Sequence, residues 1–237
     1  MDQMSEQSQS LSTSAIDNLG VRLRGALTVD DLQILDHYRR DFRTDYDVVI
    51  ASIRDTLSID VSGRPAKSTP AIVDKLKRSS MRLSQMQDIA GCRIIVADTL
   101  MQNDIVSQLG KMFASTVIDR RDKPSHGYRA VHVILRPNKR HIEIQVRTKL
   151  QHLWAEFSEK AADNFGAELK YGAGDLRVLD ALRKISSEVA GIESYEPRIE
   201  ELGSIELDEG IVQLRKDVED LLNKLIMMMK GKNDISH

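Results

Sequence analysis

Apolar residues recur at helical spacing over several stretches of this chain. Beginning at Thr28, a residue suited to an N-cap, they predict one long amphipathic helix that ends near Leu57. A shorter helix is predicted from about Pro70 to Lys77, because proline is tolerated in the first turn of a helix. The same spacing predicts helices over residues 100–113, 150–161 and 175–195.

Shorter segments rich in β-branched residues lie between these helices and indicate strands. They cover residues 91–97, 116–119, 129–136 and 140–147. The last two are joined only by Pro137-Asn138-Lys139, and so short a connection predicts an antiparallel pair. A Gly-Arg-Pro turn at 63–65 and a polar loop, RRDKPSHG, separate the other elements.

The last helix has a different apolar pattern, with alternating steps of four and three. This heptad spacing is typical of helices that pack along their length. The partner is either another helix of the same chain or a second subunit, and the pattern does not choose between them. The positions are Leu207, Ile211, Leu214, Val218, Leu221, Leu225 and Met228.

Composition divides the chain into regions. Residues 1–15 are rich in Ser and Gln and are predicted to be disordered. A helical region is expected over 16–62, a catalytic core over 63–165, and C-terminal helices over 166–237. No apolar run approaches the roughly 20 residues of a membrane helix, and the N-terminus does not resemble a signal peptide, so we expect a cytoplasmic protein without membrane contact.

The net charge of −2 conceals a strong asymmetry. From Arg64 to Lys149 there are 17 basic and 7 acidic residues, whereas the rest of the chain has 17 basic and 29 acidic residues. A basic middle region indicates an anionic ligand such as a nucleotide or a nucleic acid. A solvated basic face is the alternative.

The first candidate group lies in RPAKSTPAIVDK. Arg64, Lys67, Ser68 and Lys75 surround a predicted helix start, where backbone amides and nearby cations form an anion site suited to phosphates. A solvated basic turn explains these residues equally well.

Two carboxylates are candidate ligands of a divalent cation. Asp88 leads the apolar strand DIAGCRIIV, in which Arg93 could stack on a base, although Asp88 could instead cap a turn and Arg93 pair with a surface acid. Glu143 alternates with core-facing residues, so that Glu143, Gln145 and Arg147 project from the opposite face of their strand. A polar outer face of a half-exposed strand is the plainer explanation.

Tyr128 and His132 are four residues apart on the preceding strand and therefore share a face. The ring could stack on a purine and the histidine could contact a phosphate, or Tyr128 could simply pack at the rim of the core. The sequence has no GxxxxGK[ST], GxGxxG or HExxH motif and one cysteine, so the implied metal has oxygen ligands, as Mg²⁺ prefers.

The order RPAKS, DIAGCRII, a basic loop, GYRAVH, EIQVRT and HLWAE resembles the synthetase domain of the RelA/SpoT family over about residues 63–160. The chain has no His-Asp dipeptide, so it resembles the stand-alone small alarmone synthetases. The resemblance implies an α+β fold with a mixed, mainly antiparallel five-stranded sheet flanked by helices, similar to nucleotidyltransferases. Small synthetases of this family commonly assemble as tetramers, so a homo-oligomer is expected.

The resemblance also implies an activity, namely transfer of pyrophosphate from ATP to the ribose 3′-hydroxyl of GDP or GTP to make (p)ppGpp. Under it, Asp88 and Glu143 hold Mg²⁺, and Glu143 helps to deprotonate the hydroxyl. The remaining roles are adenine contacts for Arg64 and Arg93, ATP phosphates for Lys67, Ser68 and Lys75, guanine stacking for Tyr128, acceptor phosphates for Lys123, His132 and Arg121, and support of the acceptor strand by Gln145 and Arg147.

The acceptor loop departs from the family. It reads IDRRDKPSHGY, with Lys before Pro, and the segment after EIQVRT departs as well. Two alternatives therefore stay open: a toxic relative that modifies an adenine nucleotide or the 3′ end of tRNA, and an inactive nucleotide-binding regulator.

Overall fold

The computed structural model describes residues 11–138, 140–202 and 205–233, with side chains over 11–138, 140–195 and 209–230. Eight α-helices and five strands are found in these ranges. The strands are β1 (Ser62–Arg64), β2 (Ala90–Val96), β3 (Ser115–Asp119), β4 (Val131–Leu135) and β5 (Ile142–Thr148). The helices are α1 (Thr13–Arg22), α2 (Val29–Arg40), α3 (Arg43–Leu57), α4 (Thr69–Arg78), α5 (Thr99–Met112), α6 (Lys149–Phe165), α7 (Leu176–Leu202) and α8 (Ile205–Asn233).

The five strands form one mixed, mostly antiparallel sheet in the order β1-β2-β5-β4-β3. The predicted α+β class is therefore confirmed. β5 lies at the centre of the sheet, and Ile142, Ile144 and Val146 on this strand are fully buried. The alternation that predicted their inward direction leaves Glu143 and Gln145 only partly buried on the other face.

Glycine is required where β2 passes β5. A Cβ atom on Gly91 would lie 2.2 Å from the carbonyl oxygen of Glu143, and one on Gly63 would lie 2.5 Å from the Cβ of Cys92. Such close approach of two backbones is open only to a residue without a side chain. Gly63 lies in β1, a strand that the sequence predicted as a turn, and the pairing with β2 explains why the segment is extended.

The disorder predicted for residues 1–15 is wrong where the chain is described. Helix α1 begins at Thr13, and the side chain of Ser12 caps it by accepting a hydrogen bond from the amide of Ala15 at 3.2 Å. Ile16 and Leu19 are buried on this helix. Apolar packing thus orders a segment whose local composition is polar, while residues 1–10 lie outside the described part.

The predicted single helix from Thr28 to Leu57 is two helices, so that prediction is wrong. The break falls at Asp41 and Phe42, where the Phe42 amide bonds to the Arg39 carbonyl three residues back at 3.3 Å, a 3₁₀-type bond that ends α2. Arg140 packs on this corner. Its guanidinium donates to Asp41 at 2.7 Å and lies 5.0 Å from the ring centroid of Tyr38 and 5.2 Å from that of Phe42.

The C-terminal helices pack on α6 within the same chain. Trp154, Phe157 and Leu182 form a buried cluster with Leu222 and Ile226 of α8. Three of the seven heptad positions, Ile211, Val218 and Leu225, pack against buried clusters of this chain, whereas Leu214, Leu221 and Met228 are exposed. The side chain of Leu207 lies outside the described part. The intrachain alternative accounts for the packed positions, and the oligomeric state stays a prediction.

Two compact units can be distinguished. The first comprises the chain up to Cys92 with segments 113–115 and 134–144, and the second comprises 93–112, 116–133 and the chain from Gln145 onward. Within the described residues, no helix combines the length and the apolarity needed to cross a bilayer.

We predict that Gly91→Ala lowers the free energy of unfolding by about 1–3 kcal/mol, because the new methyl group would overlap the backbone of Glu143. Urea unfolding measures the change. The matched control is Gly191→Ala on the exposed side of α7, where no described atom lies within 4 Å of the new Cβ and where stability should rise by about 0.5–1 kcal/mol. Equal effects of the two substitutions would contradict this account of the β2–β5 pairing.

Candidate active site

The first compact unit brings two lysines and one carboxylate together. Lys67 Nζ donates to Asp88 Oδ2 at 2.8 Å, and Lys75 Nζ lies 2.8 Å from Asp88 Oδ1. The Asp88 side chain is 19% exposed. The group is therefore accessible to a ligand but partly shielded from water, which strengthens its electrostatic interactions.

The local fold explains why these side chains meet. The amide of Lys67 bonds to the carbonyl of Ile89 at 2.6 Å, while Arg39 holds the Lys67 carbonyl at 2.7 Å. Helix α4 follows at once, with Ser68 as its N-cap residue and a proline in its first turn. Lys75 lies on this helix two turns later and faces the same carboxylate.

Asp88 is ionised at neutral pH. Burial by itself would raise the pKa of this carboxyl group, but the charge of Lys75 and the hydrogen bonds from Lys67 and Lys75 outweigh burial and lower it. A carboxylate held ionised in this way can exchange its lysine partners for a metal cation when phosphates arrive to receive the lysines.

The start of α4 is a second feature suited to phosphates. The Ser68 side chain makes no capping hydrogen bond within the described structure, although Ser68 is the N-cap residue. The amides of a first helical turn and the positive end of the helix dipole favour an anion. Arg64 is exposed on β1, immediately before this turn.

Glu143 is half-buried on the central strand β5, beside Gly91 of β2. Asp88 lies two residues before β2 begins. Both carboxylates are thus carried at the paired strands of one unit. No cluster of three or more His, Cys, Asp or Glu residues that could hold a metal ion is found among the described side chains.

The second compact unit contains the aromatic group predicted from the sequence. The Tyr128 hydroxyl lies 2.9 Å from His132 Nε2, and the two rings meet edge to face at 5.6 Å. Arg147 covers the tyrosine, with its Cζ atom 5.0 Å from the ring centroid. The shared face predicted for Tyr128 and His132 is therefore confirmed.

Arg147 is the most buried cation of this site, at 5% exposure. Its Nη2 donates to the Tyr128 hydroxyl at 3.0 Å and to Gln145 Oε1 at 2.8 Å. Its Nε has no hydrogen-bond partner within the described residues. The arginine thereby fixes the position of the tyrosine ring and supports it with a cation–π contact.

Several titratable side chains lie around Arg147. Burial and the charge of Arg147 lower the pKa of Arg93, whereas Glu159 and Glu156 oppose this shift. Burial and the same two arginines lower the pKa of His152, so this imidazole is neutral at neutral pH. The structure thus places Arg93 beside the residues around Tyr128.

The turn before Tyr128 is held by unusual backbone geometry. His126 and Gly127 both have positive φ, 54° and 94°, and the amide of Tyr128 bonds to the Ser125 carbonyl at 2.9 Å. A Cβ on Gly127 would lie 2.7 Å from the Trp154 ring. This tight turn, which requires left-handed conformations, directs Tyr128 into the site.

The two cations of this loop that were expected to bind acceptor phosphates have different surroundings. Arg121 is engaged by Asp119 at 2.6 Å and by Asn103 at 2.7 Å. Lys123 is exposed on the loop. It is the neighbouring Arg120 that lines the cavity beside Tyr128.

That cavity has a volume of about 360 Å³, within the range of small-molecule sites. Its wall combines an aromatic and apolar part with cations, hydroxyls and one carboxylate. The lining residues are Arg120, Ser125, His126, Tyr128, Arg147, Trp154, Ala155, Ser158, Glu159, Leu169 and Lys170.

The sequence reasoning missed most of the cavity wall. Four of the missed residues lie on one face of α6, as two adjacent pairs one helical turn apart. They are Trp154 and Ala155, then Ser158 and Glu159. Lys170 belongs to a short 3₁₀ helix, Ala167–Tyr171, beyond the recognised motifs. Helical periodicity after EIQVRT could have indicated the first four, but nothing local indicated Lys170.

The comparisons with known proteins agree with this fold. The family described as "Region found in RelA / SpoT proteins" matches residues 63–166. Over 112 residues the chain is 43% identical to an uncharacterised protein of Mycobacterium tuberculosis, a match that covers 45% of this chain and 41% of the relative. Over 123 residues it is 30% identical to "Probable GTP diphosphokinase RSH3, chloroplastic" of Oryza sativa. That match covers 50% of this chain and 16% of the relative.

Among solved structures, the chain is similar to the small alarmone synthetase 1 of Bacillus subtilis. The TM-score is 0.55 at 21% identity, with 73% of this chain and all of that chain covered. The protein thus has the fold of the small alarmone synthetases, and residues 63–166 match the RelA/SpoT family model, the resemblance that the motifs predicted. The chain spans less than half the length of the curated relatives it matches.

We predict a pH-dependent role of Asp88 in stability. Because its pKa is lower in the folded than in the unfolded protein, its ionised form stabilises the fold above the unfolded pKa of about 3.9, and this contribution is lost as the pH falls through the folded value. Asp88→Asn should therefore cost about 1–2 kcal/mol at pH 7 and progressively less below about pH 4. Urea unfolding at several pH values tests this against Asp74→Asn, an exposed change on α4. A pH-independent difference would refute it.

Proposed function

We propose that the protein transfers pyrophosphate from ATP to the ribose 3′-hydroxyl of GDP or GTP in a magnesium-dependent reaction that yields (p)ppGpp and AMP. The observation that carries the proposal is the Asp88 carboxylate held between Lys67 and Lys75 inside the RelA/SpoT region. It combines a metal-binding carboxylate with two phosphate-binding cations. The pppGpp product bound to the Bacillus subtilis synthetase supports the same chemistry.

The first unit supplies the proposed ATP site. Lys67, Lys75 and the start of α4 at Ser68 would receive the phosphates, because they are cationic or present unpaired amides. Arg64 is exposed and free in direction to stack on adenine. Arg93 belongs to the second unit, and its adenine contact stays a prediction from the family resemblance.

Asp88 and Glu143 fit a magnesium ion. Both offer hard carboxylate oxygens, and Mg²⁺ in nucleotide sites usually binds one or two carboxylates together with phosphates and waters. When bound there, the ion would neutralise charge that develops on the transferred phosphates. Lys67 and Lys75 would add to this neutralisation from the protein.

The transfer requires no covalent intermediate. The 3′-oxygen attacks the β-phosphorus of ATP, the bond from that phosphorus to the oxygen bridging to the α-phosphate breaks, and AMP leaves with the electron pair. Glu143 would accept the proton of the 3′-hydroxyl. The protein contributes chiefly by positioning the reactants and neutralising charge, as in other phosphoryl transfers.

The second unit supplies the proposed acceptor site. Tyr128 provides a ring for the base, and Arg147 holds this ring from beneath. His132, Lys123 and Arg120 would meet acceptor phosphates, with Gln145 supporting Arg147. Arg121 holds the loop rather than the ligand.

Glu159 favours guanine over adenine as the base in this cavity. A carboxylate only accepts hydrogen bonds, and guanine presents its N1–H and exocyclic amine as adjacent donors. Adenine presents an acceptor at N1, which a carboxylate repels. Lys170, which also lines the cavity, can donate to guanine O6 or N7, which are both acceptors.

The activity is tested with purified protein, Mg²⁺ and γ-labelled ATP, to which GDP, GTP, ADP, ATP or deacylated tRNA is added in turn. Label should appear on GDP and GTP. Glu143→Gln and Asp88→Asn should each lower kcat by at least about a hundredfold, since each removes a group that acts on the transferred phosphate or on the attacking hydroxyl.

The control is Asp74→Asn, which should leave the rate unchanged because this residue is exposed on α4. Label on tRNA alone would support the toxic relative and defeat the alarmone proposal. Absence of label from every acceptor, with nucleotide binding retained, would support the inactive regulator.

The base preference gives a separate prediction. Glu159→Gln should reduce the ratio of kcat/KM for GDP to that for ADP about tenfold, because an amide both donates and accepts and so no longer rejects adenine. Glu209→Gln, an exposed change on α8, is the control and should leave the ratio as in the wild type. An unchanged ratio in Glu159→Gln would show that the preference arises elsewhere.

A cytoplasmic location and assembly into a homo-oligomer, with a tetramer favoured, stay predictions from the sequence and the family resemblance.

A further inference from the structure

Helix α7 carries a carboxylate into the interior of the second unit. Glu193 is 6% exposed and lies beside Val189 and Ile192, which pack with Leu150 in an apolar cluster. Burial raises the pKa of this carboxyl group, and hydrogen bonds from Thr148 and Gln151 oppose the rise. A buried carboxylate costs stability unless it is well bonded, so its partners define its role.

Those partners form the start of helix α6. Thr148 Oγ1 donates to one oxygen of Glu193, and Gln151 Nε2 donates to the other at 2.8 Å. Thr148 and Gln151 also form a capping box, since Thr148 Oγ1 accepts from the Gln151 amide at 3.1 Å and Gln151 Oε1 accepts from the Thr148 amide at 3.3 Å. The two oxygens of Glu193 therefore bind both side chains of the capping box at the first turn of α6.

This turn follows directly after Arg147, the cation that supports Tyr128. The bonding continues inward, because Gln102 Nε2 donates to Gln151 Oε1 at 2.9 Å and to the Val146 carbonyl at 2.8 Å. Gln102 is fully buried, and its oxygen accepts from Arg121 of the acceptor loop at 3.3 Å. A continuous chain of hydrogen bonds thus connects Glu193 to the end of β5 and to that loop.

The same helix holds the other side of the tyrosine. Ser186 Oγ donates to the Gly127 carbonyl at 2.6 Å and accepts from Arg129 Nε at 3.1 Å. Because Gly127 immediately precedes Tyr128, this bond restrains the peptide group that joins the two residues. Ser186 is 2% exposed, so the bond is sheltered from water.

Ser186 and Glu193 are seven residues apart and therefore lie on one face of α7, two turns from each other. Ser186 bonds the backbone carbonyl before Tyr128, and Glu193 bonds the two capping side chains of the turn after Arg147. Trp154 adds a third connection, because its Nε1 donates to the Leu182 carbonyl of α7 at 2.9 Å. Helix α7 lies outside residues 63–166, the region that matches the family.

We propose that Ser186 and Glu193 are positioning residues for the acceptor nucleotide: from one face of α7 they hold Gly127 and the Thr148–Gln151 turn, and so keep Tyr128 and Arg147 in register. Neither residue touches the nucleotide. The proposal rests on the proposed function, in which Tyr128 and Arg147 form the acceptor site. Displacements well below 1 Å in such a site are enough to weaken binding.

The test uses Ser186→Ala and Glu193→Gln, which remove hydrogen bonds with little change in volume. The matched controls are Ser187→Ala and Glu188→Gln, the same substitutions on exposed positions of the same helix. KM and kcat are measured for GDP and for ATP. Each test variant should raise KM for GDP about tenfold, the loss expected for a buried hydrogen bond, and leave KM for ATP within about twofold.

A binding measurement separates this effect from loss of activity. Trp154 is the chain's single tryptophan and lines the cavity, so its fluorescence reports GDP binding without turnover. The dissociation constant for GDP should rise about tenfold in the test variants and stay unchanged in the controls. Urea unfolding in the same samples shows whether the variants are folded under the assay conditions.

Two kinds of failure can be told apart. If the wild type makes (p)ppGpp but the test variants behave as the controls do, or raise KM for GDP and ATP alike, the positioning role is wrong and the proposed function stands. If the wild type binds GDP without transferring label to it, the proposed function is wrong, and the GDP dissociation constants of the variants still decide the positioning role. If it does not bind GDP, both are wrong.

Discussion

The close approach of the backbone at Gly91 to Glu143 is the constraint on which the rest of the site depends. It joins β2 to β5, the central strand, and leaves no space for a side chain between them. β5 carries Glu143 beside this contact, so the pairing of β2 with β5 determines where the carboxylate that is proposed to hold the metal lies. Arg147 and Thr148 follow on the same strand, the first over the Tyr128 ring and the second as the N-cap of α6.

Partnering of buried charge is the second principle of the site. Asp88 is stabilised in its ionised form by two lysines, and Arg147 is stabilised by the Tyr128 ring, its hydroxyl and Gln145. The lysines beside Asp88 can pair with phosphates, and the Tyr128 ring can stack on a base. Sites of this kind bind charged ligands because their own charges are already oriented and partly removed from water.

Residues beyond the region that matches the family also contact the surroundings of Tyr128. Ser186 and Glu193 bond to the backbone and side chains that flank Tyr128 and Arg147, and Lys170 completes the cavity wall. This arrangement explains why α7, which carries no recognised motif, has polar residues facing inward on an otherwise apolar face. The polar groups are there to hold a neighbouring segment, since an apolar residue at either position would leave a buried partner unpaired.

The sequence by itself determined the class of fold, the strands that carry the motifs, and the identity of Asp88, Glu143, Tyr128 and His132 as candidates, because strand alternation and motif order are local properties. Only the tertiary structure decided that Thr13 begins a helix, that the helix from Thr28 breaks at Asp41, and that Arg120 rather than Arg121 faces the cavity. It alone brought Glu193 to Thr148, 45 residues away. The reason is physical: a local pattern specifies which face is apolar, whereas the partner of a charge or of a hydrogen bond is chosen by whichever distant segment packs beside it.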